Sequence, residues 1–253
     1  MLILTRTPLP GRRSWPGLAV LGFLLLGLGN GGVIWAEQTV PSGLTAVLVA
    51  ITPFWMVGIE SFLSAGEKIT RRHIAGLVVG FCGILLLVWP DLWMGGSRAT
   101  GVLTGLVALQ VASFGWALGS SYSRRHAREE NALSAAALEM IFGGAFLMIG
   151  GTVLGEWKDL AFTAKTAWSL AYLIFAGSIV GFVSYIYALK HLPVSTVSLY
   201  AYINPVIAVL LGTILLDEPF GARVILAGAL VFLGSAVVRW SATRGKKIGT
   251  QNA

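Results

Sequence analysis

The chain has 253 residues, 56% of them hydrophobic and 11% charged, with a mean hydropathy of +0.79. A soluble domain devotes about 25% of its residues to charge, so this composition leaves too little polar sequence for a water-facing shell and excludes a soluble globular fold. The net charge of +7 could suggest nucleic acid, and the placement of the charges decides that question.

Apolar residues fall in eight runs of roughly 20, the length at which a helix crosses a hydrocarbon core of about 30 Å. In chain order the runs cover 17–36, 42–64, 72–89, 102–122, 132–154, 168–189, 194–216 and 222–240. The expected fold is therefore an all-α polytopic membrane protein. Arg12 and Arg13 precede the first run in the manner of a signal peptide. That run continues for about 20 residues with no small-residue cleavage site, so it reads as an uncleaved span. The second run contains "VPSGLTAVLVAITP". The third carries Gly76 and Gly80 in "GLVVG", together with Cys82, the one cysteine. Small residues at that spacing let helices pack closely, so the third and eighth runs read as packing helices or a homodimer face. The fourth run ends in the loop "SRRHAREEN", and the fifth holds Glu139. The seventh contains "LPVSTVSLYAYINP", and the eighth leads into the basic tail "TRGKKIGTQNA".

With the N-terminus placed inside, fourteen of the eighteen Lys and Arg residues lie on the inside, and only Arg98, Lys158, Lys165 and Arg223 lie outside. This is the positive-inside bias. It makes the basic character a topology signal, puts both termini in the cytoplasm, and argues against nucleic acid. His73, His126 and His191 all fall in inside loops, and no metalloprotease, serine-hydrolase or nucleotide-binding motif occurs. Neither an enzyme activity nor a cofactor is expected.

The second and seventh runs repeat each other. Shifted by 152, Gly29, Ala36, Pro41, Ile51, Pro53 and Val57 fall on Gly181, Ala188, Pro193, Ile203, Pro205 and Val209. Shifted by 151, Glu67, Arg72, Ile74, Phe81, Gly83 and Trp89 fall on Glu218, Arg223, Ile225, Phe232, Gly234 and Trp240. Residues 17–89 thus repeat as 168–240. Corresponding helices of the two copies are five spans apart, so the copies are inverted in the membrane. Inverted repeats around a midplane site belong to secondary transporters.

"GNGGVIWAEQTVPSGLTAVLVAITPFW", "SFGWALGSSYSRR", "ALEMIFGG" and "SLYAYINPVIAVLLGTILLDEP" resemble the EamA family of the drug/metabolite transporter superfamily. The resemblance implies an inner-membrane permease of ten helices in two inverted halves. Such permeases export amino acids, metabolites or drugs by alternating access, often in exchange for protons. The departure is at the start: residues 101–164 have no counterpart in the first copy. The expected organisation is an incomplete first half over 1–90 (three helices), a complete second half over 101–241 (five helices) and a cytoplasmic tail over 242–253. A misplaced start, a truncated gene and a genuine eight-helix protein all fit this pattern. The alternative to a transporter is a non-transporting membrane protein or subunit that needs a partner chain.

Charges within a span cost roughly 2.5–3.5 kcal/mol on insertion scales, which singles out Glu139, Glu60 and Glu37 as coupling or gate candidates. If the resemblance holds, the substrate cavity draws on Asn30, Trp35, Thr52, Trp116, Ser120, Ser184, Tyr185, Tyr187, Tyr200, Tyr202 and Asn204. Pro53 and Pro205 are expected to kink their helices, because proline leaves the carbonyl four residues back without its partner. The expected partners are a small-molecule substrate and the lipid bilayer.

Overall fold

The computed structural model describes residues 7–40, 45, 48–63, 70–93, 99–126, 130–204, 207 and 221–249. All regular structure among these residues is helical.

The first helix, α1 (Arg12–Ala36), starts with a 3-10 turn, has Pro16 in its first α-helical turn where no N–H is needed, and passes through a π-helical stretch, Gly22–Asn30. Next come α2 (Thr52–Phe62), α3 (Arg71–Trp93) and α4 (Ala99–His126). The last turn of α4 holds Arg124, Arg125 and His126, where positive charge suits the negative end of the helix dipole. Asn131 caps α5 (Ala132–Leu154) by accepting from the N–H groups of Leu133 at 2.9 Å and Ser134 at 3.4 Å. Gly155 ends that helix at φ 74°, a left-handed conformation that glycine adopts without a side-chain penalty. Thr163 and Thr166 form a reciprocal capping box at the start of α6 (Ala164–His191). That helix contains a second π-helical stretch, Leu173–Phe182. The short α7 (Val194–Val197), a further helical segment over 200–204, and α8 (Ala222–Gly249) complete the described chain.

Among the described residues, three helices are long and apolar enough to cross a membrane: α1, α5 and α6. The second expected run, 42–64, is interrupted by a turn at residues 50–51. Its remainder, α2, has 11 residues and spans about 16 Å, roughly half a hydrocarbon core. Pro53 accordingly stands in the first turn of α2 and does not bend a continuous helix. The seventh run turns at 198–199. Pro205 and most later residues of that run lie outside the described residues.

Glycines set the packing. A methyl group on Gly22 would fall 2.5 Å from the Glu139 carbonyl oxygen, so α1 and α5 are in backbone contact. A methyl on Gly29 or Gly32 of α1 would fall 2.7 Å from the Trp116 ring or 2.9 Å from the Ala112 side chain of α4. Close approach of this kind is how membrane helices associate where no water drives them together. Leu18, Leu21, Leu25, Ala117, Leu138 and Ile186 share the resulting core.

A second core joins α3 to α8 through Leu77, Val231 and Val238, with Tyr202 seated against it. Gly76 lies against Gly234 and Val238, while Gly83 lies against Ala227 and Val231. Residue numbers rise along α3 as they fall along α8, so the two helices run antiparallel. The Gly76–Gly80 face of α3 is therefore occupied within the chain, by α8 and Tyr202. The expected homodimer contact through 72–89 cannot use that glycine face.

Candidate functional site

A cavity of about 1490 Å³ opens between α1, α4, α5, α6, α7 and α8. Six expected residues line it: Asn30, Trp116, Ser184, Tyr185, Tyr200 and Asn204. None of the described lining residues carries a formal charge.

A closed hydrogen-bond ring holds one wall. Trp116 Nε1–H donates to the Tyr185 hydroxyl at 2.8 Å, and Ser120 Oγ donates to the Trp116 carbonyl at 2.6 Å. The serine's only proton is then committed, so the hydrogen bond between Ser120 and Tyr185 has the tyrosine as donor. The tyrosine ring stands 5.3 Å from Trp116 and 5.3 Å from Tyr200, edge-on to the latter at 73°. Such edge-to-face and tilted pairs are the preferred aromatic arrangements. Ser120 is fully buried behind this wall and touches it through Tyr185.

The other expected residues sit elsewhere. Trp35 and Tyr187 are exposed on the outside of α1 and α6, and Tyr187 stacks on His191. Tyr202 is buried between α3 and α8 and donates to the Leu77 carbonyl at 3.2 Å. Thr52 is buried, and its hydroxyl donates to the Val49 carbonyl at 2.6 Å. These four do not line the cavity, because helix packing leaves Trp35 and Tyr187 exposed and turns the other two to the second core or to their own backbone.

The three carboxylates also differ. Glu37 is exposed just past the end of α1. Glu60 is buried and forms a two-pronged ion pair with Arg125, whose Nη1 and Nη2 lie 2.8 and 3.0 Å from its two oxygens. Glu139 is fully buried in the α1–α5–α6 core, next to the cavity-lining Met140 but not itself part of the lining. Neither of its oxygens has a hydrogen-bond partner among the described residues.

Two site features are not legible as such in the sequence. A buried Glu60 demands a cation within reach, and the inside end of the fourth run offered several, but spacing alone did not choose Arg125. Phe182 lines the cavity and ends the second π stretch. At a shift of 152 it falls on Asn30, which ends the first π stretch and also lines the cavity.

The family model for the EamA-like transporter family matches residues 1–89 and 103–240. The chain belongs to this family. It is similar to "Uncharacterized inner membrane transporter YedA" of Escherichia coli K12, at 34% identity over 91% of this chain and 73% of that protein. It is also similar to "Uncharacterized transporter YvbV" of Bacillus subtilis 168, at 26% identity over 88% of this chain and 71% of that protein. A solved structure described as "Crystal structure of protein" shares the fold, with a TM-score of 0.75 at 21% identity over 92% of this chain and 79% of that one. EamA membership makes the chain a membrane transporter, and its helical fold suits that role.

Proposed function

We propose that the chain is a multi-pass permease of the inner membrane that exports a small, largely apolar organic solute by alternating access. The observation that carries this reading is the 1490 Å³ cavity, because its wall draws on both repeat copies. An uncharged, aromatic lining with Asn30, Asn204, Ser184 and two tyrosine hydroxyls suits a solute with an aromatic body and a few hydrogen-bonding groups. The relatives named as transporters, one of them of the inner membrane, support the location.

Two features support the inverted repeat. π-helical stretches are rare, yet the first, Gly22–Asn30, shifted by 152 lands on 174–182, within the second, Leu173–Phe182. In the α3–α8 contact, Gly76 and Gly83 correspond to Ala227 and Gly234 under the 151 shift. The contact Gly76–Gly234 then maps onto Gly83–Ala227, and both occur. Reciprocal contacts of that kind are the signature of a two-fold relation.

On this reading eight spans cross the membrane with both termini in the cytoplasm. Residues 1–90 and 101–241 form the two halves, and 242–253 form the tail. Glu139 couples transport to protons, and the Glu60–Arg125 pair closes the inner side. In reconstituted vesicles, a pH gradient should drive flux of one or more members of a panel of aromatic amino acids, phenols and heterocycles. Glu139→Gln should lose the response to the gradient while solute-for-solute exchange persists. Absence of flux for the whole panel, with or without a gradient, would reject the permease reading. Flux that appears only when a second chain copurifies would favour a subunit that needs a partner.

A further inference from the structure

Lys190, in the last turn of α6, is a buried cation without an assigned task. It is 8% exposed, and its Nζ has no hydrogen-bond partner among the described residues. The negative end of the α6 dipole favours a cation at that position, but it does not supply the hydrogen bonds that an ammonium needs. Lys190 stands in the wall of a second pocket, of about 530 Å³, between the start of α5 and the end of α6.

The α5 side of the pocket carries a negative charge. Glu130 lines it, yet its carboxylate is engaged by Ser14 Oγ of the first turn of α1 and not by the ammonium. Tyr187 and His191 complete the α6 side. Their rings stack 4.1 Å apart, and His191 Nδ1–H donates to the Tyr187 carbonyl at 2.8 Å. Asn131 Oδ1 is spent on the N–H groups of Leu133 and Ser134, so the start of α5 adds the positive end of its dipole but not those two donors. One unpaired ammonium, one carboxylate and an aromatic face make up the charge complement of a zwitterion.

Apolar surface leads away from the pocket. Leu133 and Val183 line it, and further along the same helix faces Ile141 is 62% and Val180 52% exposed. A polar pocket continuous with an exposed apolar strip suits a phospholipid better than a free solute.

We propose that this pocket holds the headgroup of an aminophospholipid of the inner leaflet, with its phosphate on Lys190 and its ammonium on Glu130. The acyl chains lie along the exposed faces of α5 and α6. The choice of leaflet rests on the topology proposed above, whereas the site itself does not depend on transport. An ammonium–phosphate contact is a charge-assisted hydrogen bond, and it gives the buried Lys190 the partner it lacks. A primary ammonium donates three hydrogen bonds and a quaternary one none, so Glu130 selects ethanolamine over choline. A headgroup with a phosphate and no cation leaves Glu130 beside a like charge.

The test uses the purified, delipidated full chain in detergent and reads the unfolding midpoint as phosphatidylethanolamine, phosphatidylcholine or phosphatidylglycerol is added. The ethanolamine lipid should raise the midpoint by about 3–5 °C at about ten times its Kd, and the other two by less than half as much. Lys190→Gln should lose that shift, and Lys190→Arg should keep it. Glu130→Gln should bring the ethanolamine lipid down to the level of the choline lipid. Val183→Trp, which fills the pocket, should also lose the shift and is read alongside in case the glutamine variant does not fold. Equal shifts for the three lipids, or an ethanolamine shift untouched in Lys190→Gln or Val183→Trp, overturn the site. Water-soluble phosphoethanolamine giving the same shift at the same concentration would assign the pocket to a free zwitterion and overturn the lipid. If every solute of the panel above fails to move while these lipid shifts hold, the permease reading falls and the lipid site stands.

Discussion

The Thr52 hydroxyl donates to the Val49 carbonyl at 2.6 Å, the very acceptor that Pro53 cannot serve. In a continuous helix the N–H of residue 53 would bond the carbonyl of residue 49, and proline has no N–H to give. The side chain one place earlier supplies the donor, so the chain can turn at 50–51 without an orphaned polar group in an apolar setting. Irregular backbone at membrane depth is tolerated only where it is satisfied or faces a cavity.

Thr52→Val should therefore destabilise the protein by about 1 kcal/mol, while Thr52→Ser should be close to neutral. Thermal unfolding in detergent distinguishes them. The reverse order, with serine the more destabilising, would mean that the methyl packing, and not the hydroxyl, carries the role.

The ring of Trp116, Tyr185 and Ser120 makes a second prediction. Tyr185→Phe leaves the Trp116 N–H and the Ser120 acceptor unpaired in the cavity wall. Solute affinity is expected to weaken about tenfold, or about 1.4 kcal/mol, with a change in tryptophan fluorescence. Ser120→Ala should do less, because Tyr185 keeps its bond from Trp116. Unaltered binding by Tyr185→Phe would remove the ring from solute recognition.

The Glu60–Arg125 fork behaves differently from a surface pair, because its carboxylate is buried and its guanidinium half-buried. Removing one partner strands the other, at about 3 kcal/mol for a buried pair and less here because water reaches Arg125. Glu60→Gln is expected to lower the unfolding midpoint clearly. Adding Arg125→Gln should recover part of that loss. Two independent, additive losses would contradict a direct pairing.

At the α3–α8 contact a methyl on Gly76 would fall 2.7 Å from Val238 and 2.8 Å from the Gly234 carbonyl. Gly76→Leu should cost about 1–3 kcal/mol through overpacking. Gly144→Ala, where nothing lies within 4 Å of an added methyl, is the matching control. Equal stability of the two variants would argue against backbone contact between α3 and α8.

Much of the helical layout is legible in the sequence, because a run of roughly 20 apolar residues has few alternatives in a bilayer. Asn30, Trp116, Tyr185, Tyr200 and Asn204 could be named for the cavity because polar and aromatic side chains stand out in apolar runs. What stays hidden is which way each side chain points. Trp35 and Tyr187 look as promising as Tyr185 in sequence, yet they sit on the outer side of their helices. Composition cannot see that rotation. The turn at 50–51 is hidden for a related reason: Pro53 signals an interruption, but not whether the helix bends there or starts afresh. Arg125 is chosen as the partner of Glu60 by packing, over neighbours of the same charge.

The π stretches of α1 and α6 end at Asn30 and Phe182. A helix that takes one residue more or fewer into such a wide turn rotates everything beyond it by about 100°. The faces of α1 and α6 beyond those two residues are therefore set by a count that can change without breaking the chain or moving either helix axis. A one-residue relaxation would carry the segments of both helices beyond those residues around like the bit of a key, exchanging the exposed Trp35 and Tyr187 for the side chains now facing inward.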